Sequence, residues 1–235
     1  MQLPVTKRLR YEKKFHASEL ALAQVEAVIK THPAHFREVY PPRVVNNVYF
    51  DTPVLSHYWA HVNGTARRSK LRLRWYGHQA GRIGRPALEI KSKDGQVGSK
   101  TVFPLDDLNP GVAVDPRRLP DALRAGRTSE AVQEQLSKMS PSLFNSYSRR
   151  YYCSADHHFR LTLDTRLAVR AWGARSFGPR ERYEDRGLII IELKFDTQAE
   201  DADFQIPRDW PFRLARMSKY VYGIQRLCGY DGPLL

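Results

Sequence analysis

The sequence predicts an α+β fold: an eight-stranded antiparallel β-barrel with covering helices. Three observations predict it. Eight stretches alternate apolar and polar residues and end at turn-forming residues. The polar positions of those stretches are mostly long charged side chains rather than the Ser, Thr and Gln of an ordinary solvated face. Three further segments carry apolar residues at helical spacing, enough to cover a sheet.

The strand-like stretches are Lys7–Phe15, Arg43–Asp51, Ser69–Tyr76, Ala87–Lys93, Val97–Leu105, Phe144–Tyr152, Phe159–Arg166 and Leu188–Phe195. Successive residues of a strand point to opposite faces, so each stretch sorts its side chains into two sets. Arg10, Glu12 and Lys14 oppose Leu9, Tyr11 and Phe15. Lys70, Arg72 and Arg74 oppose Leu71, Leu73 and Trp75. Glu89, Lys91 and Lys93 oppose Leu88 and Ile90. Arg160, Thr162 and Asp164 oppose Leu161 and Leu163, and Glu192 and Lys194 oppose Ile191, Leu193 and Phe195. Asp94-Gly95 favours a two-residue hairpin loop, which pairs Lys93 with Gln96, Lys91 with Gly98 and Glu89 with Lys100, and puts Lys100 on the charged face.

A helix capped by Ser18 runs through Ala21, Leu22, Val25, Val28 and Ile29. A second spans Ser129 to Met139. The last spans Ser218 to Leu227, with Gly229 just past its end. Gly77–Pro86, Leu108–Arg127 (a loop with a helical turn) and Ala171–Arg186 read as loops. None has the character of an interdomain linker, so residues 1–235 are expected to form one domain.

The charged face collects ten cations: Arg10, Lys14, Lys70, Arg72, Arg74, Lys91, Lys93, Lys100, Arg160 and Lys194. Four carboxylates accompany them: Glu12, Glu89, Asp164 and Glu192. Like charges on adjacent strands repel, so such a face is costly unless an anion fills it. Two architectures fit the pattern. In one, the charges meet solvent and the apolar residues fill a small barrel or sandwich. In the other the barrel is inverted: helices and loops cover an apolar outside, and the charges line a lumen. The pattern does not separate them.

The whole chain narrows the function classes. A hydrophobic fraction of 42% makes it globular. No run of apolar residues is long enough to cross a membrane as a helix. Met1 to Lys14 lacks the apolar centre of a secretory signal. Two cysteines, Cys153 and Cys228, are too few for a disulfide framework and suit a reducing cytoplasm. A net charge of +13 calls for an anionic partner.

The ordered strand motifs carry a resemblance. They are Arg10-x-Glu12-x-Lys14, Asn47-Val48-Tyr49-Phe50-Asp51-Thr52-Pro53, Leu71-Arg72-Leu73-Arg74-Trp75-Tyr76-Gly77, Leu88-Glu89-Ile90-Lys91-Ser92-Lys93, Tyr147-Ser148-Arg149-Arg150-Tyr151, Leu161-Thr162-Leu163-Asp164-Thr165, Ile191-Glu192-Leu193-Lys194 and Ser218-Lys219-Tyr220. Together they resemble the VTC domain, a polyphosphate polymerase domain of the triphosphate tunnel (CYTH-like) superfamily, from about residue 8 to residue 225. No one motif is specific; their order and strand phase are.

The resemblance implies the inverted barrel and a set of roles. Arg72 and Arg74 look like the pair that grips the terminal phosphates of a nucleotide. Lys14 resembles the lysine beside the reacting phosphate, and Lys91 and Lys100 those of the central hairpin. Arg149, in Tyr147-x-Arg149, and Arg160 resemble the arginines of the later strands. Lys219 and Ser218 resemble a phosphate-contacting pair before the last helix. Arg10, Lys93, Tyr147 and Lys194 are expected to contact substrate. Glu192 resembles the metal-binding glutamate, with Glu12 beside it, for Mn²⁺ or Mg²⁺. The implied ligands are ATP and inorganic polyphosphate, with no nucleic acid and with any membrane partner protein unknown.

The residue types suit that chemistry. Phosphoryl transfer needs charge neutralisation and alignment. Arginine offers a fork of donors and lysine a movable point charge. Arg10 stands where the superfamily's E-x-E-x-K strand has its first acid, which favours transfer to a phosphate acceptor over hydrolysis. Glu12, Glu89 and Asp164 either hold a second metal or pair with neighbouring cations. A hydrolase of tripolyphosphate or nucleoside triphosphates and a non-catalytic polyphosphate-binding module are the alternatives.

Other signals carry less. His57 and His61 share a helix face, but Tyr58 stands where a zinc protease has Glu. His157-His158 reads as a hairpin turn. Trp75, Tyr76, Tyr151 and Tyr152 read as core rather than as base-stacking platforms.

Overall fold

The computed structural model describes residues 10–79, 83–95, 97–108, 118–124, 128–172, 177–196 and 210–232. Its strands are β1 (Arg10–Ala17), β2 (Arg37–Asp51), β3 (Arg67–Tyr76), β4 (Ala87–Asp94), β5 (Val97–Pro104), β6 (Ser140–Cys153), β7 (Phe159–Ala171), β8 (Arg182–Asp185), β9 (Ile189–Asp196) and β10 (Arg213–Leu214). The helices are α1 (Leu22–Thr31), α2 (Ser56–Val62), α3 (Leu119–Arg124), α4 (Glu130–Ser137) and α5 (Lys219–Leu227).

All eight expected strands are present and antiparallel, but the barrel is not closed. The strand order is β10-β1-β9-β7-β6-β2-β3-β4-β5, with β8 beside β7, and no ladder joins β5 to β1 or β10 among the described residues. Residues 7–9 of the first expected strand lie outside the described residues. β8 falls in the stretch read as the loop Ala171–Arg186; it has only four residues, too few to show a period.

The alternation sorts as the inverted architecture requires. Leu71, Leu73 and Leu88 are fully buried under Leu119 and Leu123 of α3 and Val132 and Leu136 of α4. Each such leucine contributes about 1.5–3 kcal/mol by leaving water. Phe15, Leu161, Leu163, Ile191 and Leu193 are buried in a second outer cluster with Val25 and Ile29 of α1. Ser18 does not cap α1. Ala21 does, and its backbone N–H donates to Gln24 Oε1 at 2.8 Å.

The last helix departs from the expectation that helices cover only the outside. α5 packs on the concave face, in one cluster with Leu143, Val169 and Ile190. Leu143 and Ile190 share strand phase with Asn145 and Glu192, and Val169 pairs with Asn145, but at this end of the lumen the positions are apolar. Gly223 lets the helix approach: a Cβ there would lie 2.7 Å from Leu143 Cδ2 and 3.0 Å from Val169 Cγ1. α5 is also tied to Asp51, whose Oδ2 accepts from Tyr220 Oη at 2.5 Å and from the Tyr58 N–H at 2.9 Å, while Oδ1 accepts from the His57 N–H at 3.0 Å. One carboxylate thus anchors the end of β2, the start of α2 and α5.

The β4–β5 hairpin corrects the expected register. Asp94 pairs with Val97, Lys93 with Gly98 and Lys91 with Lys100, so the loop is Gly95-Gln96, with Gly95 at φ +56°. Gln96 itself lies outside the described residues. The error is two residues along β5. A shift of two preserves the side-chain phase, so Lys100 still joins the charged face.

Among the described residues no helix is long and apolar enough to cross a membrane. Among the described residues no group of three His, Cys, Asp or Glu comes together as a ready metal cage, and His57 and His61 belong to none.

Candidate functional site

The charged positions converge on the concave face between two walls, β3–β4–β5 on one side and β1–β9–β7 on the other. β6 and β2 form the floor that joins them.

On the first wall the centre is Glu89, 4% exposed. Arg72 donates to its Oε2 from Nε at 2.9 Å and Nη2 at 2.6 Å, and Lys100 donates to its Oε1 at 2.7 Å. Arg74 stands 3.8 Å away. Burial alone would raise the Glu89 pKa, but Arg72, Arg74 and Lys100 more than offset it and hold the carboxyl at about 2. The two arginines are fixed again from the floor. Arg72 Nη1 donates to Tyr49 Oη at 3.3 Å, and Arg74 donates to Asn47 Oδ1 at 2.8 Å and to Tyr147 Oη at 3.0 Å.

On the second wall Asp164, 1% exposed, is clamped by Arg149 through Nε at 2.5 Å and Nη2 at 2.6 Å, and by Lys219 at 2.6 Å. Glu192 is different. Lys219, Arg149, Lys194 and Lys14 surround it at 3.4, 3.5, 3.7 and 3.8 Å. Burial opposes its ionisation, yet the cations, led by Lys219, keep its pKa well below the usual carboxylate range. Glu12 lies beside it, 3.2 Å from Lys14.

α5 delivers the remaining groups. Lys219 is its first residue and Ser218 its N-cap, whose Oγ accepts from the Val221 N–H at 3.4 Å. Lys70 donates to Ser218 Oγ at 2.7 Å, and Lys14 donates to the Met217 carbonyl at 3.2 Å. The start of the helix is therefore held between the two walls. Lys91 is a softened cation: burial first, and then the Arg72 charge, push its pKa down to about 7. Burial and the charges of Lys14, Lys91 and Arg72 likewise lower Lys70 well below the ordinary lysine range.

The structure therefore brings Arg72, Arg74, Lys100 and Tyr147 together at the Glu89 wall, and Lys14, Arg149, Lys194, Lys219 and Ser218 at the wall of Glu12 and Glu192, with Lys91 feeling Arg72 on one side and Glu12 and Glu192 on the other. Lys93 and Arg160 keep the concave phase but stand exposed near the ends of β4 and β7. Arg10 opens β1, opposite Asp196 in the ladder. Five participants were not among the expected site residues, although three of them, Lys70, Glu89 and Asp164, were already read onto the charged face, and Lys70 bonds Ser218. Asn47 and Tyr49 hold the arginines, and Glu89 and Asp164 balance them. Asn47 and Tyr49 alternate along a mostly apolar strand, a signal too weak to single them out.

The match to the VTC domain model covers residues 9–228. A search of curated protein sequences gives no match. Among solved structures, the fold is similar to a proposed adenylyl cyclase from Hippeastrum with a dominant triphosphatase activity: TM-score 0.50, 15% identity, 89% of this chain and 93% of that one. It is similarly close to a proposed adenylate cyclase from Vibrio parahaemolyticus, at TM-score 0.50, 12% identity, and 92% and 98% coverage. At such identities these neighbours speak for the fold alone. The family model covers nearly the whole chain, and the charged lumen is where the strand motifs converge: the chain belongs to the VTC domain family.

Proposed function

We propose that the chain is a metal-dependent polyphosphate polymerase that transfers the γ-phosphate of ATP to a growing inorganic polyphosphate chain. The observation that carries this reading is how the lumen uses its carboxylates. Glu89 and Asp164 are saturated by arginine and lysine donors at 2.5–2.9 Å. They balance charge and hold the arginine forks in place. That leaves Glu192 and Glu12 for a cation and, among the described lumen residues, no further carboxylate to orient water. A lumen so basic suits two phosphate chains, donor and acceptor, more than a phosphate chain and water.

The family implies a divalent metal, and the residues fit one. Among the described residues no cation sits closer than 3.4 Å to Glu192, where Lys219 donates one long hydrogen bond to Oε1, so most of its lone pairs stay open. Glu192 with Glu12 would hold Mn²⁺ or Mg²⁺, which bind hard oxygen ligands and commonly share one or two carboxylates with substrate phosphates. The metal would neutralise charge on phosphate oxygens. The protein's own groups do the rest. Arg72 and Arg74, locked by Glu89, Asn47, Tyr49 and Tyr147, present oriented donors to the terminal phosphate. Lys14 and Lys91 balance charge from opposite walls, and Ser218 and Lys219 fix the phosphate chain where α5 begins. Alignment and charge neutralisation are what this transfer requires.

The test is incubation of the protein with ATP and Mn²⁺, read by gel for polyphosphate and by colour assay for orthophosphate, beside Glu192→Ala and Arg72→Ala. Polymer from wild type alone supports the reading. Orthophosphate without polymer makes the chain a hydrolase of the same fold. Tight polyphosphate binding without turnover makes it a binding module.

A further inference from the structure

The end of the lumen away from α5 is built of different material. One inward position beyond Arg74 on β3 stands Tyr76. One inward position beyond Arg149 on β6 stands Tyr151, and Arg43 of β2 pairs with Arg149 in the ladder. Tyr40 pairs with Tyr151 across the irregular register of β2. The Arg43 guanidinium lies 5.3 Å from the Tyr40 ring centre, 5.8 Å from that of Tyr151 and 5.9 Å from that of Tyr76. Tyr40 and Tyr151 meet edge to face at 5.8 Å. Yet Tyr40 is 54% and Tyr76 48% exposed. By contrast Trp75 and Tyr152, the neighbours of Tyr76 and Tyr151 in sequence, are 1% exposed. The expectation that all four are core holds for Trp75 and Tyr152 and not for Tyr76.

Two half-exposed tyrosines held around a guanidinium are an unfinished stack. Each buried face already has a partner, and each free face is a flat apolar surface at the rim of a phosphate-binding lumen. Aromatic faces of this kind take a nucleobase by stacking, without choosing among bases by hydrogen bonds. Their placement is one strand repeat, roughly 7 Å, past the arginines that grip the terminal phosphates. A triphosphate seated on Arg72 and Arg74 with its nucleoside pointing outward carries its base to this rim.

We propose that Tyr40 and Tyr76, braced by Arg43 and Tyr151, form a stacking ledge for the base of the nucleoside triphosphate donor. This rests on the proposed function above, and it sets the ledge apart from the phosphate grip: it acts on donors that carry a base and not on phosphate chains that lack one.

The test measures binding by calorimetry of the slowly hydrolysed β,γ-imido analogue of ATP and, in parallel, of tripolyphosphate. The proteins are wild type, Tyr40→Ala/Tyr76→Ala and Tyr76→Phe. We expect the double variant to lose roughly tenfold in affinity for the ATP analogue while tripolyphosphate binding stays within about twofold, and Tyr76→Phe to behave as wild type. Equal loss for both ligands, or no loss for either, overturns the ledge. If wild type binds neither ligand, the proposed function falls first and the ledge with it. If it binds tripolyphosphate and the double variant binds the ATP analogue unchanged, the ledge alone falls.

Discussion

Glu89 and Glu192 face one lumen from opposite walls, and both are nearly buried among cations. Glu89 takes three donated hydrogen bonds at 2.6–2.9 Å, while among the described residues the nearest cation to Glu192 is Lys219, in a single long hydrogen bond of 3.4 Å. The first is a counter-charge, finished by the protein. The second is an acceptor that the protein surrounds without saturating. Distance, more than burial or charge count, separates a carboxylate that supports the site from one that can work in it.

Breaking the support is expected to cost most. Glu89→Gln removes the negative partner of a buried arginine pair, a change that typically costs about 3–5 kcal/mol of stability. Chemical denaturation measures it. Added tripolyphosphate should restore part of the loss, because an anion in the lumen replaces the missing charge.

Glu192→Gln sharpens the contrast from the other side. Turnover with ATP and Mn²⁺ should fall about 10²–10³-fold, the usual scale for removing one electrostatic contributor to a transition state. The melting point should fall less than in Glu89→Gln. If the two variants lose stability and turnover in the same proportion, the distinction between them is wrong.

A third variant strikes only one wall. Gly223→Ala drives a methyl group against Leu143 and Val169, an overpacking of about 1–3 kcal/mol. α5 would shift, and Lys219 with it, loosening Asp164 and Glu192 while Glu89 and Arg72 stay in place. Metal-dependent turnover should drop more than the affinity for tripolyphosphate.

The smallest effect is a pH dependence between the walls. Lys91, facing Arg72, Glu12, Glu192 and Lys14 and paired with Lys100 across the hairpin, has its pKa pushed down to about 7. Bound phosphate raises it, so binding takes up a proton above that pH. Affinity for tripolyphosphate should be full below pH 7 and fall as pH rises, by up to about tenfold per unit from this group. Lys91→Arg, charged throughout, should flatten that slope.

The charged face was legible because a strand's period of two leaves no freedom about which residues share a side. Leu71 against Arg72, or Leu193 against Glu192, needs only one strand direction to be sorted. The hairpin shows how robust that is, since a two-residue error in pairing left Lys100 in place. Three things were not legible. Whether the charges faced solvent or a lumen depended on how strands separated in sequence curl together. α5 has an apolar face that fits an outer groove as well as a plug, and only Gly223 against Leu143 reveals the choice. The tyrosines at the rim alternate like the core aromatics next to them, so Tyr76 reads as Trp75 does until its neighbours are seen.

The seam between β5 and β1 has one more consequence. Lys14 on one side, and Lys70 and Lys91 on the other, push against each other across it, and no backbone ladder among the described residues ties the two edges. The sheet is a hoop left open under electrostatic tension. A polyanion laid between those lysines would act as its clasp, turning repulsion across the gap into attraction toward a common centre. Substrate would then be the last structural member of the wall as well as the thing transformed inside it.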